Sequence, residues 1–227
     1  MTVIPAGVAP ACSPSPDPEA DRRADQLLGP ARPDAVEFLH VGSTIDRKRI
    51  DTLLEVVARV RARIPGVRLI RAGGELTGAQ QALAGRLGVE DAVAAVPFID
   101  RTVLASLYRR AALVLLPSER EGFGLPIVEA MACGTPVVAS DIPALREVGG
   151  TAVSYCPVGA VARWVACLSE LLEERRTDPD RWERRRQAAL ARASGFSWRA
   201  YAAGMAGLYR EVLTHAGAPE PGRSGAP

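Results

Sequence analysis

Short apolar runs alternate with longer stretches of helical spacing along most of the chain. Residues 36–41 (VEFLHV), 67–70 (VRLI), 92–96, 112–116 (ALVLL) and 135–139 (TPVVA) read as strands, with a further one over 151–155. Between them, Leu53, Leu54, Val57 and Val60 recur at helical spacing, which predicts a helix over 48–64 ended by Pro65-Gly66. Further helices are expected over 76–87, 102–110 and 126–133. Helix then dominates 158–212, with a break at Asp178-Pro179. Strands without polar alternation, each followed by a helix, imply a parallel sheet buried on both faces. Right-handed crossovers make the fold class α/β: a single doubly wound parallel-sheet, Rossmann-like domain, with helices at its C-terminal end.

The flanks depart from this pattern. Residues 1–34 carry seven prolines and few large apolar side chains, so they are expected to be a linker-like flexible arm, with a short helix possible over 17–28. Residues 214–227 are expected to be a flexible tail. The folded, ligand-binding body is then 35–213. Across all 227 residues, 48% are apolar and 24% charged, which is ordinary globular usage and excludes disorder of the whole chain. No apolar run reaches the roughly 18 residues of a membrane span. The net charge, 28 − 26 = +2, gives no electrostatic case for nucleic acid. The basic side is 27 Arg and one Lys, Lys48, a bias that lowers the weight of any arginine patch. Cys12, Cys133, Cys156 and Cys167 form no Cys-x-x-Cys pair, and only His40 and His215 could complete a metal site, so no metal is expected. With no secretory signal at the N-terminus, the thiols point to a reducing cytoplasm.

In a doubly wound sheet, ligands sit at the carboxyl ends of the strands. The richest loop there is 117–125, which follows an apolar strand and contains Gly122 and Gly124. Pro126 suits the first position of a helix, whose free N–H groups make an anion site. Glu129 is the only charged side chain between Glu121 and Asp141, set among Ile127, Val128, Ala130 and Met131. A carboxylate there must be hydrogen-bonded or reach water. The paired hydroxyls of a sugar or ribose would serve it, and so would a wet stripe on an amphipathic helix. Glu121 beside an anion site makes sense as an acceptor for neutral hydroxyls next to a phosphate, or simply as a solvated loop residue. Gly42 follows a strand but opens no G-x-G-x-x-G, so a nicotinamide cofactor is not expected.

The segment Glu121-Gly-Phe-Gly-Leu-Pro-x-x-Glu129-Ala-Met-Ala-x-Gly-x-Pro-Val-Val-Ala-Ser resembles the E-x7-E region of retaining GT-B glycosyltransferases, the glycosyl transferases group 1 (GT4) class, matching at about 20 positions in order. Val41-Gly42 with Lys48 is similar to the family's first glycine loop, and Phe196-Ser197-Trp198 to the start of its closing helix. The resemblance covers roughly residues 36–212 and implies the C-terminal, donor-binding half of a GT-B enzyme. Even residues 3–8 resemble the linker that joins the two halves.

The resemblance implies roles residue by residue. Glu121 and Lys48 carry the chemistry: Glu121 contacts hydroxyls of the donor sugar, and Lys48 neutralises the diphosphate as it leaves. Gly42 and Ser43 line the same diphosphate. Gly122, Phe123, Gly124 and Leu125 offer backbone N–H groups, Glu129 holds the ribose hydroxyls, and the backbone near Ile99 faces the base. No cofactor or metal is implied, since cationic side chains and a helix N-terminus take that part. The family usually has Arg directly after the loop glycine, where this chain has Ser43; Arg47 and Arg49 are the available substitutes. The implied partners are a nucleotide-diphosphate sugar and an N-terminal GT-B domain or partner chain. That half normally supplies acceptor contacts and a histidine, for which His40 and His215 are no stand-ins. A non-catalytic nucleotide-sugar-binding or regulatory subunit is the rival reading. A nucleotide-sugar epimerase shares the fold but lacks identifiable acid/base groups here.

Overall fold

A computed structural model describes residues 3–31 and 35–216. The strands are β1 (Val36–Val41), β2 (Val67–Ala72), β3 (Val93–Val96), β4 (Leu113–Leu116), β5 (Val137–Ser140) and β6 (Ser154–Cys156). They form one sheet in the order β3-β2-β1-β4-β5-β6, and every neighbouring pair is parallel. The helices are α1 (Pro18–Leu28), α2 (Ile50–Arg61), α3 (Gly78–Leu87), α4 (Arg101–Arg110), α5 (Leu125–Ala132), α6 (Pro143–Gly149), α7 (Val161–Thr177), α8 (Pro179–Ala193) and α9 (Trp198–Ala216).

The expected α/β class therefore holds, and its physical cause is visible in the strands. All four residues of β4 and of β5 are buried, because helices cover both faces and leave no wet side. Phe38 of β1, Leu69 of β2, Leu53 and Leu54 of α2, and Trp164 and Leu168 of α7 form one apolar cluster. The strand order reverses direction between β1 and β4. Crossovers leave that point toward opposite edges, and the loops after β1 and β4 flank it at the strands' carboxyl ends, where sheets of this kind bind ligands.

Residues 8–195 group as one compact unit. Part of the expected arm belongs to it. Asp17 caps α1 by accepting from Ala20 N, Pro18 occupies its first turn, and Ala20 and Ala24 are buried one helical turn apart. Asp21 accepts from Ser106 Oγ (2.5 Å) and pairs with Arg109 (2.9 Å), which docks α1 on α4. Small alanines make this contact, so the segment shows no large apolar stripe in sequence. Residues 32–34 and 217–227 lie outside the described residues. One helix was not anticipated from sequence: α6, which starts with Pro143 and buries Leu145 and Val148.

The described part of the second unit comprises residues 3–7 and 196–216. Within it the 3–7 segment lies against α9: a Cβ on Gly7 would stand 2.1 Å from Trp198 N, and one on Gly204 would stand 3.1 Å from Ile4. Tyr209, Val212 and Leu213 of α9 are exposed.

Two glycines shape the crevice. Gly124 adopts φ +92 as it opens α5, and a Cβ there would meet Leu145 at 2.7 Å. Gly73 adopts φ +127, and its Cβ would lie 2.3 Å from the carbonyl oxygen of Gly42, so the loops after β1 and β2 touch backbone to backbone. Gly73→Ala is expected to cost on the order of 2 kcal/mol or more, because both the backbone conformation and the contact resist a side chain. Denaturant unfolding of the whole chain measures it; a loss below 0.5 kcal/mol, taken as about the scatter of neutral surface changes, would contradict the close approach.

Candidate functional site

After β1 the chain turns at Gly42, whose N–H donates to Ala72 O (2.9 Å). It then enters a short 3-10 turn, Asp46–Lys48, ended by Arg49 in the left-handed region (φ 51). This sparsely populated conformation redirects the backbone into α2 and turns Lys48 inward. Lys48 is 7% exposed, unusual for a lysine. Its Nζ donates to Glu121 Oε1 at 2.5 Å.

Glu121 arrives from the other side of the switch point, on the loop after β4. Ser118 Oγ donates to its Oε1 (2.7 Å) and Arg47 Nη1 to its Oε2 (3.2 Å). Arg47 also donates to Arg120 O (2.8 Å), and Glu119 N donates to Arg47 O (2.8 Å). The two loops are thus stitched by side chains and backbone together. Burial pushes the Glu121 carboxyl up, but the Lys48 ammonium, Ser118 and Arg47 outweigh it and hold the group below its ordinary value. The two residues expected to carry chemistry are therefore in direct contact, 73 positions apart in sequence.

Glu129 is placed differently. It lies on α5, half-buried, and its Oε2 accepts from the Tyr108 hydroxyl of α4 (2.8 Å). No protein donor reaches Oε1 among the described residues, so one carboxylate oxygen is fixed and the other is open. Burial raises its pKa, with Tyr108 and then Arg101 opposing. Tyr108 is fully buried, and burial with the adjacent carboxylate keeps its phenol protonated.

The remaining expected positions line the same end of the sheet. Ser43 is exposed, as are Gly122 and Leu125, while Gly124 is buried and Phe123 half-buried. Gly124 caps α5 without a side-chain bond. Ile99 is half-buried, and its neighbour Phe98 is 87% exposed. Of the two candidate substitutes for the missing arginine, Arg47 faces the site, whereas Arg49 is turned onto Asp51 (2.9 Å). Ser118 and Tyr108 join the site as partners that sequence spacing did not single out.

Two interior groups lie beneath the loops. His40 of β1 is fully buried; its Nδ1 donates to Leu115 O (2.9 Å), and Nε2 has no partner. Nε2 and Lys48 Cε each lie within 3.4 Å of where a Cβ on Gly42 would stand. Burial pulls the imidazole down to about 4, more than its bond to Leu115 raises it, so it is neutral at pH 7. Arg71 of β2 is also fully buried and donates to the carbonyls of Gly42, Gly73 and Gly74.

Elsewhere, a concavity of about 570 Å³ is lined by Arg109, Arg110, Arg175 and Arg186. Arg109 is paired with Asp21, Arg110 with Glu37 and Asp25, and Arg186 with Glu183, so most of its charge is already met, and it contains none of the expected site residues. Among the described residues no three His, Cys, Asp or Glu side chains cluster as a metal site requires. The four cysteines are free thiols. No described helix is long and apolar enough to cross a membrane.

A family model described as Glycosyl transferases group 1 matches residues 29–189. Over 206 residues the chain is 39% identical to the D-inositol 3-phosphate glycosyltransferase of Segniliparus rotundus, covering 87% of this chain and 44% of the relative. It is 36% identical to that of Thermobispora bispora, covering 79% and 44%. The chain thus spans a little under half the length of these curated relatives. Among solved structures, the sucrose-phosphate synthase of Thermosynechococcus elongatus superposes with a TM-score of 0.79 at 29% identity, covering 94% of this chain and 53% of that one. A glycosyltransferase from Rickettsia africae shares the fold, with a TM-score of 0.82 at 17% identity over 93% of this chain and 57% of its own.

The two buried titratable groups give acid stability two windows. Between pH 6.5 and about 4 the unfolded chain protonates His40 and the folded chain does not, so stability falls as pH falls, by about 3 kcal/mol in all. Glu121 contributes stability above the ordinary carboxylate range, and that part is lost only as pH drops through its lowered value. Denaturant unfolding at a series of pH values is expected to show both losses in the wild type. His40→Gln is expected to flatten only the upper window; an unchanged slope there would place the titration on another group.

Proposed function

The chain belongs to the glycosyl transferases group 1 family, and from that membership we propose that it is the donor-binding half of a retaining glycosyltransferase. It takes a nucleotide-diphosphate sugar and, with an N-terminal domain or partner chain, passes the sugar to an acceptor with its anomeric configuration kept. The observation that carries this reading is the buried Lys48–Glu121 pair across the switch point, beside the N-terminal turn of α5.

In the unliganded chain the two side chains satisfy one another. A bound donor offers each a better-matched partner: diphosphate oxygens for the Lys48 ammonium and sugar hydroxyls for the Glu121 carboxylate. The N–H groups of the turn 122–125 and the helix dipole add to the pull on the diphosphate. Glu129, held by Tyr108 through one oxygen, presents the other to a ribose hydroxyl. The backbone at Ile99 faces the base.

The bond that breaks joins the anomeric carbon to the leaving phosphate oxygen, which takes the electron pair. The acceptor oxygen bonds to the same face, and its proton passes to the departing phosphate. Lys48 stabilises the charge that grows on that phosphate, and Arg47 stands beside it. Positioning and charge stabilisation then supply the acceleration, and neither glutamate transfers a proton. The relatives' names identify D-inositol 3-phosphate as what they glycosylate, which makes a phosphorylated cyclitol the first acceptor to assay.

The test is to titrate the chain with UDP-, GDP-, ADP- and TDP-sugars and to follow hydrolysis and transfer with labelled donor. Saturable binding of one nucleotide class is expected; no binding of any would sink the proposal. Binding with no turnover, even when the missing half is supplied, would favour the non-catalytic subunit. Glu129→Ala is expected to weaken nucleotide affinity about tenfold or more, as loss of a hydrogen bond to a charged acceptor does. Glu121→Ala is expected to act mainly on discrimination among sugars. Calorimetry showing unchanged nucleotide affinity in Glu129→Ala would remove the ribose assignment.

A further inference from the structure

Arg71 stands out among the interior side chains. It lies on β2 with no solvent exposure, and no carboxylate among the described residues is within ion-pair distance of it. Its nearest acid is Glu75, an exposed residue of the following loop. Glu121, the other acid of the region, is already occupied by Lys48, Arg47 and Ser118. A guanidinium stays charged in proteins, so this is a buried cation without an anion. Its fork is spent on backbone: Nη1 donates to Gly74 O, and Nη2 to Gly42 O (3.1 Å) and Gly73 O (3.2 Å). Nε, also buried, has no partner.

These three carbonyls have a consequence for the crevice. In a trans peptide the C=O of one residue and the N–H of the next point in opposite directions. Drawing the Gly42 and Gly74 oxygens onto Arg71 therefore turns the N–H groups of Ser43 and Glu75 away from it. The third peptide is used inside the fold, since Gly74 N donates to Val96 O (3.3 Å). The N–H groups of Ser43 and Glu75 have no protein acceptor among the described residues. Both follow the carboxyl ends of β1 and β2, and Gly42, which precedes Ser43, lies against the Lys48 side chain.

We propose that Arg71 is a positioning residue for the donor's diphosphate, holding the Ser43 and Glu75 amides outward as donors and leaving a buried positive charge that the bound diphosphate compensates. The proposal rests on the donor-binding reading above. It also accounts for Ser43: where the family resemblance implies an arginine over the glycine loop, this chain places the cation beneath it. The local charges agree: Lys48 and Arg47 are met by Glu121, Arg71 has only the exposed Glu75 as an acid in its field, and His40 is neutral.

The experiment compares wild type, Arg71→Lys and Arg71→Met by calorimetry with UDP, GDP, ADP, TDP, the parent nucleosides and inorganic diphosphate. Lysine keeps the charge but loses the fork; methionine loses both. In each folded variant, the gain in affinity of nucleoside diphosphate over nucleoside is expected to shrink at least tenfold, with nucleoside affinity unchanged, a split that a merely structural defect would not produce. In parallel, amide-resolved NMR of the wild type with inorganic diphosphate is expected to move the Ser43 and Glu75 N–H signals most among residues 35–110. That arm decides the matter alone if neither variant folds. An unchanged diphosphate gain in a folded variant, or Ser43 and Glu75 amides that stay still, overturns the role of Arg71 and leaves the donor-binding reading standing. A wild type that binds no nucleoside diphosphate overturns both.

Discussion

The Lys48–Glu121 pair is the interaction on which this crevice depends. Both side chains are more than nine-tenths buried, at 9% and 8% exposure. Burying such a pair rarely adds stability, because desolvation of the two ions offsets their attraction. What the pair fixes is place. Lys48 comes from the loop after β1 and Glu121 from the loop after β4, the two strands between which the sheet reverses direction. Ser118 and Arg47 complete the carboxylate's shell, so neither loop can move without leaving a charge unmet. The cost of the pair is thus borne where a ligand able to replace both partners would find them already desolvated and aimed.

Beneath that pair the interior is arranged to keep the local charge positive. His40 sits within reach of Lys48, and a protonated imidazole there would repel it; burial holds the ring neutral instead. Arg71 stays charged and is stabilised by carbonyl dipoles and, more weakly, by the field of the exposed Glu75. The same carbonyls belong to the glycines whose backbones touch, Gly42 and Gly73, and that contact is possible because Gly73 carries no side chain. Backbone conformation, a buried cation and the shape of two loops are therefore one feature rather than three.

Much of the fold was legible because its signals are local. An unbroken LVLL or VVA run has no plausible place except a strand covered on both sides, and Gly-x-Gly-x-Pro before a helical repeat marks a strand-to-helix turn. Glu121 and Lys48 could be named singly, one by its place in a recognisable motif and the other as the lone lysine among 27 arginines. Their contact could not, since nothing in local spacing pairs residues 73 apart. A short helix over 17–28 could be read, but its docking on α4 could not, because the small Ala20 and Ala24 make the contact; α6 was obscured because seven residues show too little of a period. Arg71 was invisible for a different reason: an arginine in a strand of an arginine-rich chain reads as a wet position. Only the three inward carbonyls show that it is not. Tyr108 gave no signal of its own in the sequence, and its hydroxyl's bond to Glu129 appears only when α4 packs on α5.

The two glutamates of the motif are often thought of as a unit because they are eight residues apart, yet the structure gives them different surroundings and hence different chemistry. Glu121 is pressed among cations, which hold it ionised well into acid. Glu129 is set in an apolar helix, where burial raises its pKa and one neutral phenol and a distant guanidinium oppose. An ionised Glu121 can be exchanged from cation to hydroxyl as an anion arrives to take the cation. Glu129 has no such exchange to make; it needs a neutral donor for its open oxygen, and a hydroxyl meets that need without bringing a second charge into a poorly solvated place. On the donor-binding proposal, the environment of each carboxylate suits hydroxyl ligands in both cases, but only Glu121 is coupled to the arrival of a diphosphate.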